Sequence, residues 1–180
     1  MARHTAFEIL YKEYYVRVFG LCRRLLNSSE LAEDATQETF MRAYKSFNKF
    51  DSKQPFWQWI ATIANNHCID QLRARNRSAA LFGDEASETE EVASMTPSPL
   101  GEVIAAEEDE RINTSINAAI GQLADKYRVP LVLAYFHQLS YDEIAAQLEI
   151  SRNHVGVLLL RAKKQLRVEL STTNVEQPNP

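Results

Sequence analysis

Between Phe7 and Leu25 apolar residues recur every three or four positions: Phe7, Leu10, Tyr11, Tyr14, Val18, Leu21, Cys22 and Leu25. That spacing puts them on one side of a helix, with Lys12, Glu13, Arg17, Arg23 and Arg24 on the other. The turn residues Asn27, Ser28 and Ser29 end it. A second helix starts at Ser28 or Ser29, where Glu30, Glu33 and Asp34 suit the positive end of the helix dipole, and runs to about Phe47. Its inward side is Leu31, Ala35, Phe40, Ala43, Tyr44 and Phe47, which leaves Asp34, Gln37, Glu38 and Arg42 outward. A polar loop, Asn48 to Gln54, leads to Pro55, placed where a helix start tolerates proline. The third helix begins at Phe56 and carries Trp57, Trp59, Asn65, Asn66, Arg73, Arg75 and Arg77. Trp59, beside Ile60 and Ile63, belongs to the core by spacing; Trp57 is assigned to neither side.

The second half repeats the pattern. Ile112, Ile116, Ala119, Ile120 and Leu123 form a helical stripe behind the acidic run Glu107 to Glu110. Asp125 is expected to cap the helix KYRVPLVLAYFHQ, whose Pro130 lies near enough to the start to be accommodated. Leu131, Val132, Tyr135 and Phe136 should pack beneath the two helices that come next. Ser140 and Glu143 stand in capping-box register, each able to satisfy a free backbone N–H of the first turn, and Ile144, Ala145 and Leu148 form the inward side. After a break at Glu149-Ile150, Ser151 offers a second N-cap. Two helix starts about eleven residues apart have helix-turn-helix spacing. In that layout Arg152, Asn153 and His154 open the helix that enters the major groove, and they can donate to base edges and phosphates. A structural helical hairpin carries the same pattern, so this stretch alone leaves both open.

Gly is scarce and strand-like alternation is absent, which makes the fold class all-α. Ser78 to Gly101 is rich in Ala, Ser, Glu, Thr and Pro without a helical stripe, and Thr96-Pro97-Ser98-Pro99 excludes regular helix locally. This divides the chain into two small helical domains, 1–77 and 102–170, joined by a flexible acidic linker, 78–101, with a disordered tail, 171–180. The net charge is −4, unexpected for a DNA-binding chain until it is divided. Residues 1–77 carry net +4, residues 78–110 net −10 and residues 111–180 net +2. Neither basic block is strong enough to hold DNA by phosphate neutralisation alone, so a partner must supply most of the grip. No apolar run approaches a membrane span and the N-terminus lacks a signal-peptide core, which points to the cytoplasm. Cys22 and Cys68, the two cysteines, are expected to be reduced and partly buried.

The chemistry on the third helix is the kind used on single-stranded nucleic acid: rings to stack, amides to read base edges, guanidinium groups for phosphates. His67 and Cys68 are neighbours on one helix and point about 100° apart, so they do not make a shared metal site. No nucleophile beside a base, no phosphate-cradling Gly loop and no metal-ligand spacing occurs; the chain is expected to be no enzyme and to use no cofactor or metal.

The order AEDATQETFMRAYKSF, a loop, PFWQWIATIANNHCIDQLRARNR, an acidic linker and SYDEIAAQLEIS resembles the extracytoplasmic-function (group 4) sigma factors of bacterial RNA polymerase. The resemblance covers nearly all of the chain outside linker and tail. It implies a region 2 domain that docks on the clamp of core RNA polymerase and opens the minus-10 element, and a region 4 domain, on the flap, that reads the minus-35 element of promoter DNA. Carried over by position, Asp34, Gln37, Glu38 and Arg42 face the polymerase. Lys49, Phe50, Asp51, Ser52 and Lys53 match the loop that holds a flipped-out base, and Trp57, Asn65, Asn66, Arg73 and Arg77 lie on the following DNA-facing helix. Ser151, Arg152, Asn153, His154, Gly156, Arg161 and Lys164 match the minus-35 reader. The linker would thread the polymerase interior.

The recognition helix departs from the family. Related chains carry basic or hydroxyl residues after the equivalent of Val155; here the run is Val155-Gly156-Val157-Leu158-Leu159-Leu160. With Val155, Leu159 and Ala162 inward, Val157, Leu158 and Leu160 are left partly exposed. Two accounts are open: Arg152, Asn153 and His154 read bases alone while Gly156 lets the backbone approach DNA, or the apolar patch binds an anti-sigma factor. A helix-turn-helix regulator using only its second domain, and a sigma-like interaction module without minus-35 reading, are the competing functions.

Overall fold

The computed structural model describes residues 2–76, 82 and 108–175. They fall into two compact units, one within residues 1–77 and one within 78–180. Every regular element among the described residues is helical.

The first unit is three helices, α1 (Ala2–Leu26), α2 (Ser29–Ser46) and α3 (Phe56–Arg75), each packed on the other two. Asn27 takes the left-handed conformation at φ 53° and turns the chain, and Ser28 caps α2 by accepting a hydrogen bond from the Leu31 N–H at 3.3 Å. The buried side of α2 is mostly small: Ala32, Ala35, Thr36, Thr39 and Ala43 lie inward around the single large ring of Phe40. Small residues let α1 and α3 approach closely. The two threonines satisfy their buried hydroxyls locally, Thr36 Oγ1 donating to the Ala32 carbonyl at 2.6 Å and Thr39 Oγ1 to that of Ala35 at 2.7 Å. Buried polar groups with such partners cost little.

Two aromatic positions assigned to the core lie at its edge. Tyr11 is 38% and Tyr44 40% exposed; with Phe7 and Met41 they line an open groove between α1 and α2. The physical reason is a tyrosine's length: the ring packs on Phe7 or Phe40 while its polar end reaches water. The cysteines deviate in the other direction. Cys22 on α1 and Cys68 on α3 are free and completely buried. The thiols share a hydrogen bond, which together with burial pushes Cys68 well above the usual thiol range.

The second unit contains α4 (Glu108–Gln122), α5 (Asp125–Tyr135), α6 (Tyr141–Leu148) and α7 (Arg152–Val175). The long α7 is the common partner, packing on α4, α5 and α6. α5 is buried from Arg128 to Ala134 and supplies Val129, Leu131, Val132 and Leu133 to the core. Pro130 sits within its first two turns, and Tyr135 and Phe136 are half-buried. Asp125 does not cap α5: Ala124 holds that position without a side-chain bond, and Asp125 is the first helical residue. Its carboxylate is instead ion-paired with Arg128, which is 3% exposed and also donates from Nη1 to the Leu123 carbonyl at 2.8 Å. The buried guanidinium thus draws the acid into the helix and ties the end of α4 to the start of α5.

α7 continues to Val175, so residues 171–175 are helical rather than a frayed tail. Apart from Phe82, which is described and buried, the expected linker, 78–101, lies outside the described residues, as do the domain start at Glu102, the side chain of Ile112 and the last residues 176–180.

Removing one partner of a buried, hydrogen-bonded charge leaves the other groups unsatisfied. Arg128→Ala is therefore expected to destabilise the second unit by about 2–4 kcal/mol, read as a lowered midpoint in urea unfolding of the full chain.

Candidate nucleic-acid interface

On α2 the positions not used by the core form a continuous outward row. Asp34, Gln37 and Arg42 are exposed and Glu38 is half-buried. Glu38 and Arg42, one turn apart, pair at 2.6 Å, and this bond holds the Glu38 carboxyl below the usual glutamate range. Arg42 and Glu38 also lie near His67 of α3, whose ring is half-buried and whose pKa is lowered, first by burial and then by Arg42. The result is a surface of paired and unpaired charge on a rigid helix, suited to a protein partner.

The connection from α2 to α3 opens with a single 3-10 turn, Phe47–Lys49. Asp51 then folds the chain back, its Oδ1 accepting from the Lys53 N–H and its carbonyl from the Gln54 N–H, both at 3.0 Å. Lys49, Asp51, Ser52 and Lys53 are exposed. Phe50 behaves differently. Its half-buried ring stacks on Phe47 at 6.0 Å and 9°, and packs against Trp59 at 5.0 Å and edge-on to Phe56 at 5.5 Å. Phe50 is the anchor by which the loop is fastened to the core, with part of its ring left exposed. Trp59 is half-buried in the same aromatic cluster.

On α3, Asn66 is exposed and Arg73 half-buried, while Trp57 is half-buried beside α1. Asn65 has no exposed surface at all. It was expected among the DNA-facing residues, but adjacent positions on a helix diverge by about 100°, so Asn65 and Asn66 cannot both face outward beside buried Ala64 and Cys68. Arg77 lies outside the described residues. The amide pair looked like one signal; the packing divides it.

In the second unit the capping box forms as its register predicts. The Ser140 N–H donates to Glu143 Oε2 at 2.7 Å, and the Glu143 N–H donates to Ser140 Oγ at 3.3 Å. The turn between α6 and α7 is made by Glu149 in the left-handed conformation, φ 58° and ψ 41°. Ser151 caps α7, accepting from the His154 N–H at 3.2 Å. Arg152 and Asn153 are exposed in the first turn and His154 is half-buried. Arg152 reaches across the turn to within 3.7 Å of the Asp142 carboxylate, an exposed contact that orients more than it stabilises. Lys164 is exposed and Arg161 half-buried further along.

The apolar run of α7 is reassigned by the packing. Val155, Leu158, Leu159 and Ala162 are all buried, a full i, i+3, i+4, i+7 stripe facing three other helices. Of the three residues expected to be exposed, Leu158 is core, Val157 is half-buried and Leu160 alone is open, at 44%. Gly156 is buried as well and presents little surface of its own.

Residues 10–78 match the Sigma-70 region 2 family model and residues 114–166 the Sigma-70, region 4 model. The ECF RNA polymerase sigma factor SigW of Bacillus subtilis is 32% identical over 171 residues, covering 92% of this chain and 89% of that protein. The chain belongs to the ECF RNA polymerase sigma factors. SigE of Mycolicibacterium smegmatis is 31% identical, covering 97% of this chain and 65% of its own length. Among solved structures, the sigma factor RpoE in complex with the anti-sigma factor NepR from Bartonella quintana superposes with a TM-score of 0.57 at 21% identity, covering 92% of this chain and 97% of that one. CnrH in complex with the cytosolic domain of CnrY gives 0.53, also at 21%, covering 94% and 90%. These two show the fold of this sigma factor. Among the described residues, no group of His, Cys, Asp or Glu is placed to hold a metal, and no helix is long and apolar enough to cross a membrane.

The bond from the Ser140 backbone, followed by that from its hydroxyl, keeps the Glu143 carboxyl below its ordinary pKa of 4.5. A lowered carboxyl pKa stabilises the fold above the ordinary value, and the contribution is lost as pH falls through the folded one. Ser140→Ala is expected to cost about 1 kcal/mol at neutral pH. Its deficit should shrink in urea unfolding as pH falls below the ordinary glutamate range and through the lowered pKa of Glu143, because the hydroxyl bond to the carboxylate is then lost.

Proposed function

We propose that this sigma factor directs core RNA polymerase to a set of promoters, acting as an initiation factor in the cytoplasm and catalysing no reaction itself. Residues 1–77 dock on the polymerase clamp through Asp34, Gln37, Glu38 and Arg42. The same domain holds the displaced strand of the minus-10 element with the loop residues Lys49, Asp51, Ser52 and Lys53 and with Trp57, Asn66 and Arg73. Residues 102–170, seated on the flap, read minus-35 DNA, and residues 78–101 are the acidic tether between them. Base reading is confined to the first turn of α7. Arg152, Asn153 and His154 follow the Ser151 cap directly, and Arg161 and Lys164 contact phosphate farther along.

The observation that carries this reading is the exposure of Arg152 and Asn153 at the capped start of α7. A helix whose N-terminus projects donors while its apolar stripe is fully packed is built to enter a major groove. Burial of Leu158 narrows the apolar surface of the run 155–160 to Leu160 and part of Val157, which supports the DNA-reading role. Control by an anti-sigma factor is proposed as well; RpoE of the same fold is held by NepR.

Run-off transcription with purified core polymerase on fragments of the source genome, with new 5′ ends sequenced, tests the proposal. Start sites sharing two upstream elements are expected only when the chain is added. At such a promoter, Arg152→Ala and Asn153→Ala should each lower use of the cognate minus-35 element about ten- to a hundredfold, the range of one base-reading contact. Core binding should be unchanged. Absence of new starts despite core binding would overturn the reading.

A further inference from the structure

Two tryptophans stand two residues apart at the start of α3, and the fold uses them differently. Trp59 enters the aromatic cluster that anchors the loop, 5.0 Å from Phe50 and 5.6 Å from Phe56. Positions two apart on a helix point about 200° apart, and Trp57 accordingly leaves the cluster for α1. There the guanidinium carbon of Arg17 lies 3.8 Å from the indole centroid, contact distance for a cation over a ring. Tyr14, one turn earlier on α1, lies nearly parallel to the same indole, 6.5 Å away and tilted 15°, and meets Phe56 edge-on at 5.1 Å. Among the described residues Arg17 has no carboxylate within ion-pair range, and its side chain is exposed. Its charge is therefore not neutralised within the unit. A guanidinium that stacks by its face keeps N–H groups at its edge for other acceptors.

We infer that Arg17 is a positioning residue for promoter opening: it fixes the Trp57 indole at the start of α3 and sets a positive charge next to it, toward the phosphates of the displaced strand. The inference rests on the reading of the loop and α3 as the minus-10 face. It assigns α1, so far a packing helix only, a part in that face. The stack does what a loop cannot. It restrains a large ring that is only half-buried, so that the ring is already in place when a base pair opens and no ordering cost falls on the melting step.

The test uses holoenzyme assembled from core polymerase and the full chain, at a promoter found by transcript mapping, with the rate of strand opening read by permanganate reactivity. Arg17→Ala is expected to slow opening about two- to tenfold, the span of a partly desolvated cation–π contact, with core binding and minus-35 binding unchanged. Arg17→Lys should recover much of the rate. In a Trp57→Leu background Arg17→Ala should have no further effect on the part exerted through the ring, and the double variant should be far less than the product of the two. In free protein carrying Trp59→Phe, so that Trp57 is the sole tryptophan and is excited selectively over the tyrosines, Arg17→Ala should shift indole emission; a purely structural role elsewhere on α1 would not.

Opening at the wild-type rate in Arg17→Ala, or effects of Arg17→Ala and Trp57→Leu that multiply fully, would overturn the inference while leaving the sigma reading intact. If Arg17→Ala does not fold, the lysine variant decides: wild-type emission and opening support the inference, and a folded lysine variant as slow as Trp57→Leu with unchanged emission overturns it. Failure of the wild-type chain to yield any new start overturns the minus-10 reading and this inference with it.

Discussion

In a unit of three or four helices, each helix has one stripe to give to the core, and every other property of this chain depends on where that stripe falls. A small unit gains its stability from apolar burial spread thinly over a few contacts. Positions on the stripe must be apolar or locally satisfied, as Thr36 and Thr39 are by their own helix. Positions off the stripe are free to carry charge. Asp34, Gln37, Glu38 and Arg42 on α2, and Arg152 and Asn153 on α7, are surfaces of that kind. They are rigid because the opposite side of each helix is packed.

The loop between α2 and α3 gains its rigidity by a different route. It has few helical hydrogen bonds to hold it, so the half-buried Phe50 ring packs against Phe47, Phe56 and Trp59, and Asp51 closes the turn with its side chain. Hydrophobic anchoring at one residue leaves the neighbouring lysines and serine displayed. The second unit solves the corresponding problem with caps. Ser140 and Ser151 set the starts of α6 and α7, and the left-handed Glu149 sets the angle between them. Loop and caps serve the same end, holding polar side chains still at the edge of a small core.

Arg128 shows the cost of the alternative. A guanidinium inside the second unit is tolerable only because Asp125 and the Leu123 carbonyl both meet it, and this demand displaced Asp125 from the capping role its position suggested.

Local rules determined much of this protein from its sequence alone. The 3.6-residue periodicity marked the helices, the serines and Glu143 marked where two of them begin, and the ordered motifs identified the family, because capping and amphipathicity depend on residues within one or two turns of each other. Tertiary structure decided which member of a near-neighbour pair turned inward. Asn65 against Asn66 and Leu158 against Leu160 have the same chemistry and nearly the same position. Periodicity fixes the angle between them but not the rotation of the whole helix against its partners. That rotation depends on the other helices present: α7 meets three of them, so its buried stripe is wider than Val155, Leu159 and Ala162 alone. The contact of Arg17 with Trp57 joins residues forty positions apart, and only the packing of α1 on α3 could bring them together.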